Sequence, residues 1–288
     1  PAAMGGTDTN GDVTIPSVAI SKDNGDALVA ALANGPVNVT INPMNSSVVT
    51  ANYVPGIQHI NDIVVRNNSG FSEVYVAAAS TVSSGALLGG NDYGLYKSLN
   101  GGLSWTEVNL PLTIDGHKTA PNDIEITSGG KIWLSSTNNS LFGDGGGRVF
   151  SSTDGVTFQE KYAISSGDRT QIAVSKTNPD KVYVLSEIPN SVAIIKTTNS
   201  FNTITNLPLP IDADSGIPAT DFTRGQAFYD LLIATDPVND EVIYLGGIDL
   251  FKSINGGSSY SQFSHWYGGF GYQDVHADQH GIAFGNGP

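Results

Sequence analysis

One turn is written four times along this chain, and no other feature limits its fold as much. "YKSLNGGLSW" (96–105) contains Ser98, Asn100, Gly101, Gly102, Ser104 and Trp105. "FKSINGGSSY" (251–260) matches it at Ser253, Asn255, Gly256, Gly257, Ser259 and Tyr260. "FSSTDGVTF" (150–158) is one residue shorter, with Ser152, Asp154, Gly155, Thr157 and Phe158, and "KTTNSFNTIT" (196–205) keeps Thr197, Asn199 and Thr203. Asn-Gly and Asp-Gly pairs between apolar runs mark tight hairpins, because these residues accept positive φ at little cost. The Asn or Asp side chain bonds backbone N–H groups further along and closes the turn from inside.

Ser98, Ser152, Thr197 and Ser253 lie 54, 45 and 56 residues apart. Self-similarity near this period, with several short strands per unit, indicates a propeller. Between the turns a second phrase recurs: "INDIVVRNNSGFSEVYVAA" (60–78), "NDIEITSGGKIWLSS" (122–136), "QIAVSKTNPDKVYVLSE" (171–187) and "YDLLIATDPVNDEVIYLGG" (229–247). Each unit reads strand, turn, strand, loop, strand, Asn/Asp turn, strand. The predicted fold is therefore all-β, a β-propeller of four-stranded antiparallel blades. Residues 1–14 read as a linker or N-terminal extension and 15–288 as the propeller, with about five blades plus the first strand of another. "DALVAALANG" (26–35) suits a helix by composition but a second strand by its place after "IPSVAIS". The count reads as a portion of a larger propeller.

The Ser-x-Asn/Asp-Gly turn with its closing aromatic resembles the Asp box, or bacterial neuraminidase repeat, of sialidases, some xyloglucan-cleaving glycosidases and sortilin-like propellers. The resemblance rests on Ser98, Asn100, Gly102, Trp105, Ser152, Asp154, Phe158, Ser253, Asn255, Gly257 and Tyr260. It implies hairpins between the third and fourth strands of a blade, on the outer rim, with a structural role. "VHADQHGIAF" (275–284) resembles a strand of secreted Asp-box propellers of Bacteroidota, many of which carry a sorting domain for type IX secretion. That resemblance implies a secreted or outer-surface protein exported by that machinery.

Composition narrows the partners. The chain of 288 residues has a net charge of −14, only 13 Lys plus Arg, and no Cys. Nucleic acid and anionic lipid are poor partners for such a surface, and disulfide and thiol chemistry are excluded. No apolar run approaches the length of a membrane span. "GDGGGR" (143–148) lacks the Lys-Ser/Thr of a phosphate loop and reads as a hinge. "DTNGDVT" (8–14) starts like a calcium loop but carries Ala19 where Glu is needed.

The candidate site lies near the C-terminal end. Asp274, His276, Asp278 and His280 alternate, so in a strand all four share one face. Aligning the repeats places Asp62, Asp123, Gln171, Asp230 and His280 at matching positions on first strands, as a polar ring around the channel. Trp266 and Tyr267 sit nearby in an aromatic cluster able to stack on a sugar or a peptide. The expected ligand-binding residues are Asp230, Asp274, His276, Asp278, His280, Trp266 and Tyr267. His276, Asp278 and His280 also have the chemistry to hold a divalent metal such as zinc; the alternative is a hydrogen-bonded channel lining.

Two function classes follow. One is a secreted propeller that binds a glycan or a surface protein without cleaving it. The other is a glycoside hydrolase acting on a neutral polysaccharide, with Asp230 and Asp278 as the paired carboxylates. Four arginines, none in a sialidase motif, disfavour a sialidase. The binding propeller is the reading carried forward.

Overall fold

The computed structural model describes residues 22–33, 35, 52–54, 56–83 and 86–285. The chain divides into two units, Pro1–Asn52 and Tyr53–Pro288. In the first, α1 (Lys22–Leu32) is the described element. The strand expected over 26–35 is therefore a helix: "ALVAAL" is rich in strong helix formers, and local propensity outweighs the repeat pattern. The remaining strands expected before residue 52, and the calcium-like loop, lie outside the described residues.

The second unit is a succession of strands. After β1 (Asn52–Val54) come β2 (His59–Asn68), β3 (Phe71–Ala79), β4 (Thr81–Ser83), β5 (Ala86–Leu88), β6 (Gly94–Ser98) and β7 (Thr106–Val108). Next are β8 (Ala120–Ile126), β9 (Ile132–Thr137), β10 (Arg148–Ser152) and β11 (Gln159–Ala163), then β12 (Thr170–Val174), β13 (Val182–Ile188), β14 (Ser191–Thr197) and β15 (Thr205–Leu207). Last are β16 (Leu232–Thr235), β17 (Ile243–Gly246), β18 (Leu250–Ser253), β19 (Ser261–Gln262), β20 (Ser264–His265) and β21 (Gln273–Asp274).

Four antiparallel four-stranded sheets result: β2-β3-β6-β7, β8 to β11, β12 to β15 and β16 to β19. Strands β4 and β5 pair as a small excursion inside the first repeat. The first strands of consecutive sheets adjoin one another, β2 with β8, β8 with β12 and β12 with β16. Radial sheets meeting along their first strands are the arrangement of a β-propeller.

The cores lie between sheets. Tyr75, Leu95, Ile124, Leu134 and Phe150 join the first two sheets; Trp133, Val149, Ile172 and Val184 join the second and third; Tyr183, Leu185, Ile233, Leu245 and Phe251 join the last two. Sheets covered on both sides lose the usual alternation, so β9 and β13 are almost continuously buried. Ile63 and Val65 of β2 instead stay exposed.

All four turns join the third strand of a sheet to its fourth, and their side chains close them in the same way. Gly102 N donates to Ser98 Oγ at 2.9 Å and Ser104 N to Asn100 Oδ1 at 2.9 Å. Gly257 N and Ser259 N repeat this on Ser253 and Asn255 at 2.9 and 3.0 Å. In the degenerate copy Phe201 N and Thr203 N donate to Thr197 and Asn199, both at 2.9 Å. Asp154 accepts from Val156 N and Thr157 N at 2.8 and 2.7 Å, and these bonds hold its carboxyl well below the ordinary range. Phe158 is buried, whereas Trp105 is 42% exposed.

Candidate functional site

The axis is built from a dipeptide. Asn61-Asp62 opens β2 and Asn122-Asp123 opens β8, each at a β-bulge that re-aims side chains out of the pleat. Asn61 Nδ2 donates to Pro121 O at 3.1 Å and Asn122 Nδ2 to Thr170 O at 2.6 Å. Asp62 Oδ2 accepts from Ile124 N at 2.8 Å and Asp123 Oδ2 from Ile172 N at 2.7 Å. Each sheet thus clamps the next at the same height. The two carboxyls are near enough to perturb each other. Burial, with Glu125 and Asp62 adjacent, holds Asp123 well above the usual carboxylate range. Burial also raises Asp62 and Glu125.

A cavity of about 360 Å³ runs beside these strands, and Asp62, Asp123, Gln171 and His280 line it. Glu125 and Lys176 face it as a further ion pair at 3.5 Å. Four of the five positions aligned from the sequence therefore meet at the axis. The fifth, Asp230, is fully buried, and neither of its carboxyl oxygens has a hydrogen-bond partner. Burial, with Asp278 nearby, pushes its carboxyl up to about 7.

The third sheet carries Gln171 in place of the acid, and Arg169 supplies its clamp. Arg169 Nη1 donates to Phe228 O at 3.1 Å and Tyr229 O at 2.5 Å. Asp123, Asp230 and Glu187 surround the guanidinium. Arg169 lines the 360 Å³ cavity and two smaller ones at the N-terminal ends of the first strands.

The predicted row does not form. The chain leaves strand geometry after Asp274, and Asp278 adopts a φ of 71°, so the alternating residues do not share a face. His276 Nδ1 lies 3.1 Å from Ala277 O, and His280 packs edge-on against Tyr229 at 4.5 Å. Asp278 stands near Asp230. Asp274 pairs through its backbone with His265 in a short parallel bridge. Among the described residues, no group of three or more His, Asp or Glu side chains is placed to hold a metal ion. Trp266 packs on Tyr267 at 4.6 Å, and Tyr267 Oη donates to Asp214 at 2.9 Å. That pair belongs to another feature: Arg224, whose Nη2 meets Asp212, Asp214 and Asp249 at 2.8, 3.0 and 3.1 Å beside the buried His265.

Sequence reasoning missed Arg169, Glu125, Lys176 and the Phe228-Tyr229 pair. The duplicated Asn-Asp was a readable signal for the clamps. For Phe228-Tyr229 the signal was two adjacent aromatics immediately before the aligned Asp230.

No family model matches the chain, and no curated protein matches it. Among solved structures it is similar to a GH74 enzyme of Niastella koreensis (TM-score 0.49, 16% identity, 70% of this chain and 30% of that one). It is also similar to the GH74 xyloglucanase of Xanthomonas campestris (TM-score 0.47, 17% identity, 70% and 30%) and to YCF48 from Cyanidioschyzon merolae (0.36, 15%, 55% and 42%). The chain spans well under half the length of each of these three.

Proposed function

We propose that this chain is the ligand-binding part of a β-propeller protein and that its ligand, a glycan or a protein, docks at the axis. One observation carries the reading: four first strands converge on one cavity of about 360 Å³, through Asp62, Asp123, Gln171 and the β16 residues from Leu232 to Thr235, with His280 from the C-terminal segment beside them. Concave sites with a few convergent polar groups are the default place for a ligand. In this reading the four turns are Asp boxes with a purely structural role, and the protein works outside the cell as type IX cargo. Its acidic, Lys-poor composition supports that setting.

A hydrolase remains the second reading, favoured by Asp230, whose carboxyl at about 7 would be protonated when a general acid is needed. Against it, Asp230 is fully buried and so cannot reach a glycosidic oxygen as placed. The test is a screen of the wild-type chain on a glycan array and against neutral polysaccharides, beside the His280→Ala/Gln171→Ala variant. The axis reading predicts binding without cleavage, weakened at least tenfold in the variant. Undiminished binding overturns it, and wild-type cleavage establishes the hydrolase.

A further inference from the structure

We infer that the N-terminal mouth of the axis is a subsite for a neutral saccharide, with Phe228 and Tyr229 as its stacking platform. The inference rests on the axial ligand site proposed above and names the ligand class.

Two cavities of about 330 and 140 Å³ open at this mouth and share Thr137, Asn138, Ser140, Arg169 and Phe228. Asn61, Asn122 and His59 complete the smaller one. The shared lining is amide, hydroxyl and the Arg169 guanidinium, with one aromatic ring common to both basins, and Asp168 and Glu187 line the larger one. Phe228 is 65% exposed and Tyr229 is 48% exposed, their ring centroids 6.4 Å apart. Phe228 lines both basins and Tyr229 is its exposed neighbour, so apolar faces stand beside hydrogen-bonding groups.

The platform is held in place. Arg169 grips the carbonyls of both residues, and Tyr229 N and Asp230 N both donate to Gln226 O, at 2.8 and 3.0 Å. Further up the same long connection, Asp221 accepts from Thr223 N and Gly225 N, and Arg224 ties it to Asp249 of the fourth sheet. His280 supports the Tyr229 ring edge-on. Surface aromatics fixed this firmly lose little freedom on binding, which lowers the cost of association.

Charge selects the ligand class. The Arg169 guanidinium is turned to the carbonyls of Phe228 and Tyr229, with Asp123, Asp230 and Glu187 around it. Asp168 accepts from Thr137 Oγ1 and Asn138 N at 3.2 and 2.9 Å. Burial holds His59 below its ordinary value, so it is neutral near pH 7. An anion would meet Asp168 and Glu187, and a cation would meet Arg169. An uncharged ligand with many hydroxyls and an apolar C–H face meets neither penalty, and that is a neutral sugar ring. A peptide added as a strand needs an open sheet edge, whereas these walls are strand ends and loops.

The test uses the chain as it stands, with cellohexaose, xylohexaose and mannohexaose as neutral probes and a sialylated hexasaccharide as the acidic one, read by calorimetry. The wild type binds at least one neutral hexaose. Phe228→Ala/Tyr229→Ala weakens that binding at least tenfold, Asn138→Ala weakens it severalfold, and Phe228→Trp retains it, all with unchanged circular dichroism. Retained binding in the double variant overturns the subsite while leaving an axial ligand standing. A wild type that binds none of the neutral hexaoses, or only the acidic one, overturns the ligand class; a protein ligand lost in the His280→Ala/Gln171→Ala variant would then preserve the axial reading alone.

Discussion

Asp62 and Asp123 occupy the same place on consecutive first strands, and each accepts a backbone N–H of the next sheet, from Ile124 and Ile172. Burial raises both carboxyls, Asp123 the more strongly. An amide mimics the protonated form that this shift favours at Asp123. Asp123→Asn keeps both a donor and an acceptor in place and is expected to fold with a melting temperature within a few degrees of wild type. Asp62→Ala leaves Ile124 N unpaired and costs about 1–3 kcal/mol. Urea titration of the two variants checks the contrast; equal losses contradict it.

Asp230 makes stability depend on pH. The folded chain keeps this proton up to about 7, whereas the unfolded chain loses it near 3.8. The group's contribution is full below about pH 4 and is lost as pH rises towards 7. Asp230→Asn removes that slope and is expected to be more stable than wild type at neutral pH, by at most about 4 kcal/mol. Urea midpoints of both proteins at intervals from pH 4 to 8 decide the matter, and parallel curves contradict the assignment.

Two glycines with nearly the same backbone separate geometry from packing. Gly155 has φ 71° and Gly101 φ 69°. A Cβ on Gly155 would lie 2.0 Å from Tyr75 Oη and 2.6 Å from Arg66 Nη1, while one on Gly101 would meet nothing within 4 Å. Gly101→Ala is expected to cost the left-handed penalty of about 1–2 kcal/mol. Gly155→Ala must also displace buried Tyr75 and Arg66, both of which donate to Glu73, at 2.8 and 3.5 Å, and is expected to cost at least about 2 kcal/mol more. Matching denaturation midpoints for the two variants contradict this.

The rim turns are predicted to be structural only. Asn255→Ala strands the N–H of Ser259 and costs about 1–2 kcal/mol, with ligand affinity unchanged by calorimetry. Asp154 behaves differently with pH: its carboxyl lies below the ordinary range, so its contribution is present at neutral pH and fades as pH falls below about 4. Asp154→Asn is expected to be insensitive to that fall, as thermal melts between pH 2 and 5 would show.

The sequence carried the rim because the rim is local: Ser98 and Asn100 sit in the turn they close, so short spacing shows the bonds. Even the degenerate Thr197–Asn199 copy closes its turn in the same way. Aligning first strands also brought Asp62, Asp123, Gln171 and His280 to one cavity. The 274–280 row failed because alternation assumes a strand, and Asp278 turns left-handed. Arg169 was invisible because its partners, the carbonyls of Phe228 and Tyr229, lie 59 and 60 residues away and carry no side-chain signature. The helix Lys22–Leu32 shows local propensity prevailing over a repeat grammar extended past its last marker.

The central claim is that ligand is held at the axis and not at the rim. Hydrogen–deuterium exchange, with and without whichever neutral hexaose binds, measures this directly. The account predicts slowed exchange in 137–140 and 226–231 and no change in the turns 98–105 and 253–260. Protection confined to the rim turns, or its absence at the mouth under saturating hexaose, would contradict it.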